Sequence, residues 1–145
     1  MTSTSTSSSS TTTQFEVDTA VARLVRWLET GQAPAGMLAD ECFLDLTVPH
    51  WRVQAATAEE ALAIRRDSHP FPGSVRVERV DRTPSGFVMA FEERWEHQGQ
   101  RWYAREHVRA DVVGEMIVEL AIYCTGDWDE AVQQAHAAQV AMLRS

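Results

Sequence analysis

The sequence lacks long hydrophobic runs, and no stretch approaches the ~18 consecutive apolar residues that a membrane-spanning helix needs. Cysteine is also scarce: Cys42 and Cys124 are the only two, and neither belongs to a CxxC pattern. Both lie in apolar stretches, which favours buried thiols in a reducing compartment. We therefore expect a cytoplasmic protein with no membrane-spanning segment.

Positive charge is in deficit, since 13 Lys+Arg residues stand against 21 Asp+Glu residues and give a formal net charge of -8. Such a chain repels the phosphate backbone of a nucleic acid. His50 and His69 do not have the HxxxH or HxH spacing of a metal site. We expect no nucleic-acid partner, no bound metal and no cofactor.

Residues 1–13, MTSTSTSSSSTTT, carry no charge and offer almost no apolar surface to bury. The entropic cost of ordering them has nothing to offset it, so we expect a disordered tail. The segment has neither the basic start nor the apolar core of a secretory signal. The remainder, residues 14–145, has the length of one domain with one hydrophobic core.

Helical signals dominate the first half of the chain. Thr13 and Glu16 form a capping box, apolar residues follow at helical spacing, and Gly31 is a plausible stop. A short second helix is predicted over 33–40, a strand over 41–48 that Pro49 ends, and a third helix after the Thr57–Glu60 capping box. A final helix begins near Asp127 or Asp129.

From residue 74 onward, apolar residues recur at every second position, which is the spacing of a β-strand. Four antiparallel strands are predicted, over 75–80, 87–97, 100–113 and 116–125, joined by short turns. If Gln98 and Gly99 form a two-residue turn, His97 faces Gln100 and Phe91 faces Glu106. Opposite charges then meet on one face of this hairpin, while Glu93 and Glu106 lie on the apolar, inward face.

The same register, extended through Gly114 and Glu115, places Ile117, Glu119, Ala121 and Tyr123 on the inner face of the last strand. Tyr123 then lies opposite Glu106, and Glu119 lies opposite Ala110. A slip of one residue at this turn would send Glu119 and Tyr123 outward instead.

The chain over residues 14–143 resembles the nuclear transport factor 2-like superfamily, also called SnoaL-like. The resemblance is carried by the order of elements and by three segments: LADECFLDL at 38–46, FEERWEHQGQRWY at 91–103, and GEMIVELAIYCTGDW at 114–128. It implies an α+β, cone-shaped, cystatin-like roll, in which a curved, mixed, mostly antiparallel sheet wraps around N-terminal helices and a C-terminal helix follows. The family includes ketosteroid isomerases, epoxide hydrolases, polyketide cyclases and scytalone dehydratases, so fold alone does not decide function.

Individual positions can be compared with that resemblance. Glu106 matches the position of the protonated acid of ketosteroid isomerases, and Glu93 lies near one of the paired aspartates of the epoxide hydrolases. Ala121 stands where those hydrolases and the cyclases carry an aspartate. The isomerase base would fall at or beside Asp45 and Leu46. The resemblance therefore implies a pocket. This pocket would contain some of the catalytic residues of several enzymes of the family, but not the complete set of any one of them.

Together with this resemblance, the residues predict a small-molecule pocket that acts without a cofactor, and the resemblance implies an isomerase, cyclase or dehydratase acting on an apolar cyclic or polyketide-like substrate. Glu106 and Tyr123 would polarise a carbonyl and Glu93 would move the proton. The predicted pocket wall consists of Trp51, Phe91, Trp95, Trp102, Glu119 and Ala121. The alternative is a non-catalytic ligand-binding or dimerisation module, in which the inward glutamates pair with an arginine: Arg23, Arg26, Arg52 or Arg65.

The outer face of the predicted sheet suggests self-association. Apolar and aromatic residues lie there beside the charge pairs: Tyr103, His107, Met116, Val118, Leu120 and Ile122. That much exposed apolar surface is unusual for a monomer. We expect a homodimer formed through this face.

Overall fold

The computed structural model describes residues 11–144. Three helices and six strands follow in the order α1 (Gln14–Thr30), β1 (Leu38–Val48), β2 (Trp51–Ala55), α2 (Ala58–Ser68), β3 (Gly73–Arg82), β4 (Gly86–His97), β5 (Gln100–Val113), β6 (Met116–Cys124) and α3 (Glu130–Gln139). The strands form one sheet in the order β2-β1-β6-β5-β4-β3. Only β1 and β6 pair in parallel, so the predicted α+β fold with a mixed, mostly antiparallel sheet is confirmed.

Helix α1 begins at the predicted capping box. Thr13 Oγ1 accepts from the backbone N–H of Glu16, and Glu16 Oε1 accepts from the N–H of Thr13. Gly31, with φ 78°, ends the helix in the left-handed conformation that glycine adopts without strain. The buried face of α1 packs on the concave side of the sheet and consists of Val17, Ala20, Leu24, Trp27 and Leu28.

The β4–β5 hairpin has the predicted register. His97 pairs with Gln100 across the turn, Trp95 with Trp102, and Phe91 with Glu106. Because side chains alternate between the two faces of a strand, this register places Glu93 and Glu106 on the side of the core. Both are 5% exposed. The long hairpin thus carries two carboxyl groups into the space between the sheet and the helices.

The first half of the chain differs from prediction in two places. Residues 33–40 form no helix; they make a turn at Gly36, with φ 78°, and then enter β1 at Leu38. Residues 51–55 form the short edge strand β2, which the sequence analysis did not predict. Pro49 and His50 turn the chain between β1 and β2, and His50 takes a positive φ of 67° to make this tight reversal.

The register of the last hairpin is one residue away from the prediction. An irregularity between Asp111 and Val112 shifts the pairing, so that Cys124 lies opposite Glu106 and Tyr123 lies opposite His107. A β-bulge adds one residue to one strand and therefore reverses which side chains point inward beyond it. Leu120 and Ile122 join the core, and Glu119 and Tyr123 face outward.

This shift also changes the outer face of the sheet. Leu120 and Ile122, predicted to lie outside, are buried instead, which reduces the exposed apolar area there. The face carries ion pairs that join different strands: Arg105 of β5 pairs with Glu78 of β3 at 2.6 Å, across β4, and Arg109 of β5 pairs with Glu119 of β6 at 3.4 Å. Dimerisation through this face stays a prediction.

Residues 1–10 of the predicted tail lie outside the described residues. Thr12 and Thr13, which the prediction assigned to the tail, contact the domain: Thr13 caps α1, and the N–H of Thr12 donates to the carbonyl oxygen of Pro84 at 3.1 Å. Among residues 11–144, no helix is long and apolar enough to cross a membrane.

Candidate functional site

A cavity of about 150 Å³ lies between α1, α2 and the concave face of the sheet. Most of its wall is apolar, and includes Trp27, Leu28, Leu44, Leu46, Ile64 and Ile122. Val48 and Asp127 line both this cavity and a surface depression beside Pro49 and Gly126, so the cavity opens there. A cavity of this volume in another protein holds benzene, which sets the scale of a fitting molecule at about one six-membered ring.

Glu93 is held at the cavity wall by Arg65 of α2. Arg65 lies one helical turn after the buried Ala61, so it projects from the face of α2 that covers the sheet. Its Nη1 and Nη2 donate to the two carboxylate oxygens of Glu93, at 3.1 Å and 2.6 Å. Nη2 also donates to the carbonyl oxygen of Leu28. This bidentate pair fixes Glu93 as a carboxylate.

Glu106 is the second carboxyl group of the cavity, and its environment differs from that of Glu93. Burial, a hydrogen bond with Glu93 and the negative charge of Glu93 raise the pKa of Glu106 well above its usual value of 4.5. Burial also tends to raise the pKa of Glu93, but hydrogen bonds from Glu106 and Arg65 outweigh it, and the pKa of Glu93 is lowered. Glu106 is therefore the protonated partner, and it donates its proton to Glu93.

The hydrogen bonding of Glu106 is incomplete. Its Oε2 atom is buried and has no partner among the described residues. A carboxylic acid has one proton to donate and several lone pairs that accept. A buried polar atom without a partner costs free energy, and such atoms often mark a site that another molecule completes.

His69 and Trp95 form the wall beside this carboxyl pair. The ring of His69, at the C-cap of α2, packs edge-on against Trp95 with ring centroids 4.3 Å apart. Burial and the charge of Arg65 lower the pKa of His69 to about 4, against a raising effect of Glu93. His69 is therefore neutral at neutral pH. Its ring adds surface to the wall without adding charge.

Asp127 and Cys124 lie toward the mouth of the cavity. Asp127 is exposed to solvent, and partial desolvation and the charge of Glu93 raise its pKa from 3.8. Burial and Glu106 raise the pKa of the Cys124 thiol to about 12, so this cysteine is an unreactive thiol. Gly126, between them, has φ 83°, and a Cβ there would meet the Pro49 ring at 3.0 Å. The tight approach of Pro49 to Gly126 shapes the opening.

The structure brings together only some of the residues predicted for the site. Glu93, Glu106 and Trp95 line the cavity. Tyr123 does not: it lies on the outer face and is 59% exposed, because the bulge reverses the inward positions of β6. Its predicted role in polarising a carbonyl was therefore wrong. Arg65 is the partner of Glu93, as the alternative of an ion-paired glutamate anticipated.

The other predicted wall residues lie elsewhere. Glu119 faces outward and pairs with Arg109, and Ala121 is on the same outer face, flanked by Asp45 and Arg109. Trp51 is 71% exposed on the edge strand β2. These three positions were predicted wrongly. Glu119 and Ala121 depend on the register of β6, which is shifted by one residue, and Trp51 lies on a strand that was not predicted.

Phe91 and Trp102 are close to the cavity without lining it. Phe91 is fully buried in the core, and Trp102 stacks on Trp95 with ring centroids 6.4 Å apart. Trp27 was not predicted as a wall residue, and Asp127 was predicted only as a possible cap of the last helix. The signal for Trp27 was present, because it follows Leu24 on the apolar face of α1.

Within the described part of the chain, no group of three or more His, Cys, Asp or Glu residues could hold a metal ion.

Comparison with known proteins gives matches in structure only. No family model and no curated protein matches the sequence. An NTF2-like protein from Anabaena variabilis has 18% identity and a TM-score of 0.65, with 78% of this chain and 89% of that chain covered. An LEH-like epoxide hydrolase from M. tuberculosis has 13% identity and a TM-score of 0.59, with 76% and 83% covered.

A third similar structure is a hypothetical protein from Catenulispora acidiphila with a ketosteroid isomerase-like fold, solved in complex with trimethylamine. It has 10% identity and a TM-score of 0.60, with 73% of this chain and 85% of that chain covered. Identities this low demonstrate the fold and leave the activity open. The chain therefore has the nuclear transport factor 2-like fold, as its sequence predicted.

Proposed function

We propose that this protein binds a small, mostly apolar molecule in the cavity between the helices and the sheet, and that Glu106 exchanges a proton with it. The observation that carries the proposal is the buried pair of Glu93 and Glu106, one ionised and one protonated, in an apolar cavity with an unpartnered oxygen on Glu106. Pairs of carboxyl groups whose environments separate their pKa values are typical of acid–base sites.

In this proposal the two carboxyl groups have different tasks. Arg65 neutralises Glu93 and holds it in place, so Glu93 is a weak base and acts by keeping Glu106 protonated. Glu106, with its raised pKa, is the group that gives or takes a proton. The finer form of the proposal is a cofactor-independent isomerase, cyclase or dehydratase. The volume of the cavity limits its substrate to about one ring.

Binding can be tested by a variant that fills the cavity. The variant is Ala104→Leu, because Ala104 lines the cavity and is 2% exposed, so a larger side chain there fills the cavity. Ala137→Leu, at an exposed position of α3, is the control. Cyclohexanol added to the wild-type protein should shift the indole N–H signals of Trp27 and Trp95 in a nitrogen–proton NMR spectrum. Ala104→Leu should abolish these shifts without unfolding the protein, and Ala137→Leu should keep them. Equal shifts in all three proteins would overturn the proposed site.

Catalysis can be separated from binding by deuterium exchange. An ionised Glu106 would take a proton from the carbon beside the carbonyl of cyclohexanone, and the resulting enolate would receive a deuteron from D₂O. The rate should rise between pH 5 and pH 8, because the proportion of ionised Glu106 rises. Glu106→Gln should reduce exchange to the uncatalysed rate. Bound ketone without exchange would instead support the second candidate.

The second candidate function is ligand binding without catalysis. The bidentate pair of Arg65 with Glu93 favours it, because that pair removes one of the two carboxylates from the available proton acceptors. The pair is nearly buried, with side-chain exposures of 13% and 6%, and has the geometry of a structural ion pair. Glu106 would then serve only to recognise the ligand.

A further inference from the structure

The exchange reaction proposed above needs a hydrogen-bond donor besides its base. Removal of a proton beside the carbonyl of a bound ketone moves negative charge onto the carbonyl oxygen, and a donor placed at that oxygen lowers the barrier. Tyr123, the predicted donor, lies on the outer face and is 59% exposed. Glu106 is the base in this reaction and has no proton to donate while it is ionised. The donor must therefore be another side chain of the cavity wall.

Most polar side chains of the wall donate their protons elsewhere or donate weakly. Arg65 uses Nη1 and Nη2 for the two oxygens of Glu93, and its Nε atom is buried. Ser68 Oγ donates to the carbonyl oxygen of Ile64 at 2.6 Å, as serine does within helices. The thiol of Cys124 is a weak donor. None of these groups offers a strong, free N–H or O–H to the cavity.

Three ring N–H groups of the wall remain, those of His69, Trp27 and Trp95. Within residues 11–144 none of these rings donates to a protein group, and none of their nitrogens is fully buried without a partner, so each keeps some accessible surface. An imidazole N–H is more acidic than an indole N–H and is therefore the stronger donor to an oxyanion. His69 is also the only one of the three whose ring both donates and accepts.

The ring of His69 is held in a fixed position at the end of α2. Its backbone N–H donates to the carbonyl oxygen of Arg65 at 2.8 Å, and Pro70 after it restricts its backbone. The imidazole packs edge-on against Trp95 and Phe71, with ring centroids 4.3 Å and 5.5 Å away. A donor held in this way is oriented before the ligand arrives, which is the condition for strong stabilisation of a developing charge.

We infer, resting on the proposed function, that His69 is a second catalytic residue: its ring N–H donates to the carbonyl oxygen of the bound molecule while Glu106 removes the proton from the neighbouring carbon. The C–H bond breaks, the proton passes to the Glu106 carboxylate, and the electron pair forms a C=C bond while the carbonyl π electrons move to the oxygen. The proton of the imidazole stays on its nitrogen. In D₂O the proton on Glu106 exchanges with solvent, so the carbon regains a deuteron and the ketone is restored.

The imidazole is neutral during this step. Burial and the charge of Arg65 of α2 lower the pKa of His69 to about 4, and the charge of Glu93 of β4 acts in the opposite sense. A neutral imidazole carries one N–H, and it serves as the electrophile in another enzyme that forms an enolate. The charge of His69 does not change between pH 5 and pH 8, so the rise in exchange rate over that range belongs to Glu106.

The carbonyl carbon of bound cyclohexanone reports the donor directly. A hydrogen bond to the oxygen moves the carbon-13 signal downfield, so the shift of carbonyl-labelled cyclohexanone is measured with the full chain at pH 8 and extrapolated to saturation. In the wild-type protein the bound signal should lie downfield of the signal in cyclohexane. His69→Phe, which keeps an aromatic ring in the wall, should return it to the value in cyclohexane. Trp27→Phe and Trp95→Phe should leave it downfield.

The rate of deuterium exchange tests the catalytic role. His69→Phe should lower kcat for cyclohexanone about 100-fold, because one donor to a developing oxyanion is lost. KM should change much less, since this hydrogen bond strengthens in the transition state. His69→Gln keeps an N–H donor and should recover part of the loss. His107→Phe removes an imidazole from the exposed outer face of β5 and should change neither constant.

The outcomes separate this inference from the function on which it rests. A carbonyl signal that stays downfield in His69→Phe, a signal that moves only in a tryptophan variant, or an unchanged kcat in His69→Phe would overturn the inference and leave the proposed pocket in place. A signal that depends on His69 in a protein without exchange would support the contact and overturn the proton transfer by Glu106. If cyclohexanone does not bind at about 10 mM, the proposed function fails together with the inference.

Discussion

Glu93→Gln should be the most destabilising single change in the carboxyl pair. The substitution removes the negative charge from a pair whose side chains are 6% and 13% exposed, and it leaves the Arg65 cation without its counter-ion. Arginine does not lose its proton in proteins, so the charge stays buried. Breaking one partner of a buried pair costs ~3 to 5 kcal/mol. We expect a loss near ~3 kcal/mol, because Glu106 can ionise in place of Glu93 and partly compensate.

Glu106→Gln should behave differently, because the amide can donate to Glu93 as the acid does. The raised pKa of Glu106 means that the folded protein holds this proton more tightly than the unfolded chain does. That contribution to stability is fully present below the unfolded pKa of 4.5, and it is lost as the pH rises through the folded pKa. Glutamine does not titrate. Relative to wild type, the variant should therefore be more stable at pH 8 than at pH 5.

Urea denaturation of both variants at pH 5 and pH 8 provides the measurement, with Glu119→Gln as the control. The Glu119–Arg109 pair is exposed, with a distance of 3.4 Å and side-chain exposures of 41% and 52%. Its loss should cost less than ~1 kcal/mol. The reasoning would be refuted if Glu93→Gln cost no more than this control. A large loss in both site variants at pH 8 would make the two carboxyl groups a structural pair and remove Glu106 from its proposed role.

Three further predictions concern the rest of the chain. Thr13→Ala should destabilise the protein by ~1 kcal/mol in urea melts, because it removes the cap of α1, whereas the exposed Thr11→Ala should have no effect. Deleting residues 2–10 should leave the melting temperature unchanged, whereas deleting 2–12 removes the hydrogen bond from Thr12 to Pro84 and should lower it slightly. A drop of several degrees in the shorter deletion would contradict this. Light scattering at high micromolar concentration should give a dimer, and a mass of 16.3 kDa would count against dimerisation through the outer face.

The part of the site that lies on the long hairpin was predictable from sequence. The turn at Gln98 and Gly99 sets the register, and the alternation of charged and apolar residues decides which face is buried. Glu93 and Glu106 stand out because they interrupt an apolar face. The capping box at Thr13 likewise signals the start of α1 through a local pattern that needs no tertiary contact.

The remainder depends on features that the sequence signals weakly. The bulge between Asp111 and Val112 follows no distinctive residue pattern, and it alone reverses the predicted positions of Glu119 and Tyr123. The choice of Arg65 among several helix arginines depends on how α2 packs over the sheet. The segment 33–40 contains good helix formers, yet Gly36 turns the chain there because β1 must enter the sheet beside β6.

The central claim is that Glu106 is a protonated acid in the cavity at neutral pH. The direct measurement is a carbon-detected NMR titration of the glutamate side-chain carboxyl groups, in the wild-type protein and in Glu106→Gln. We predict one carboxyl signal that titrates well above the usual value of 4.5 and is absent from the variant. A wild-type protein in which every glutamate titrates at or below that value would contradict the account.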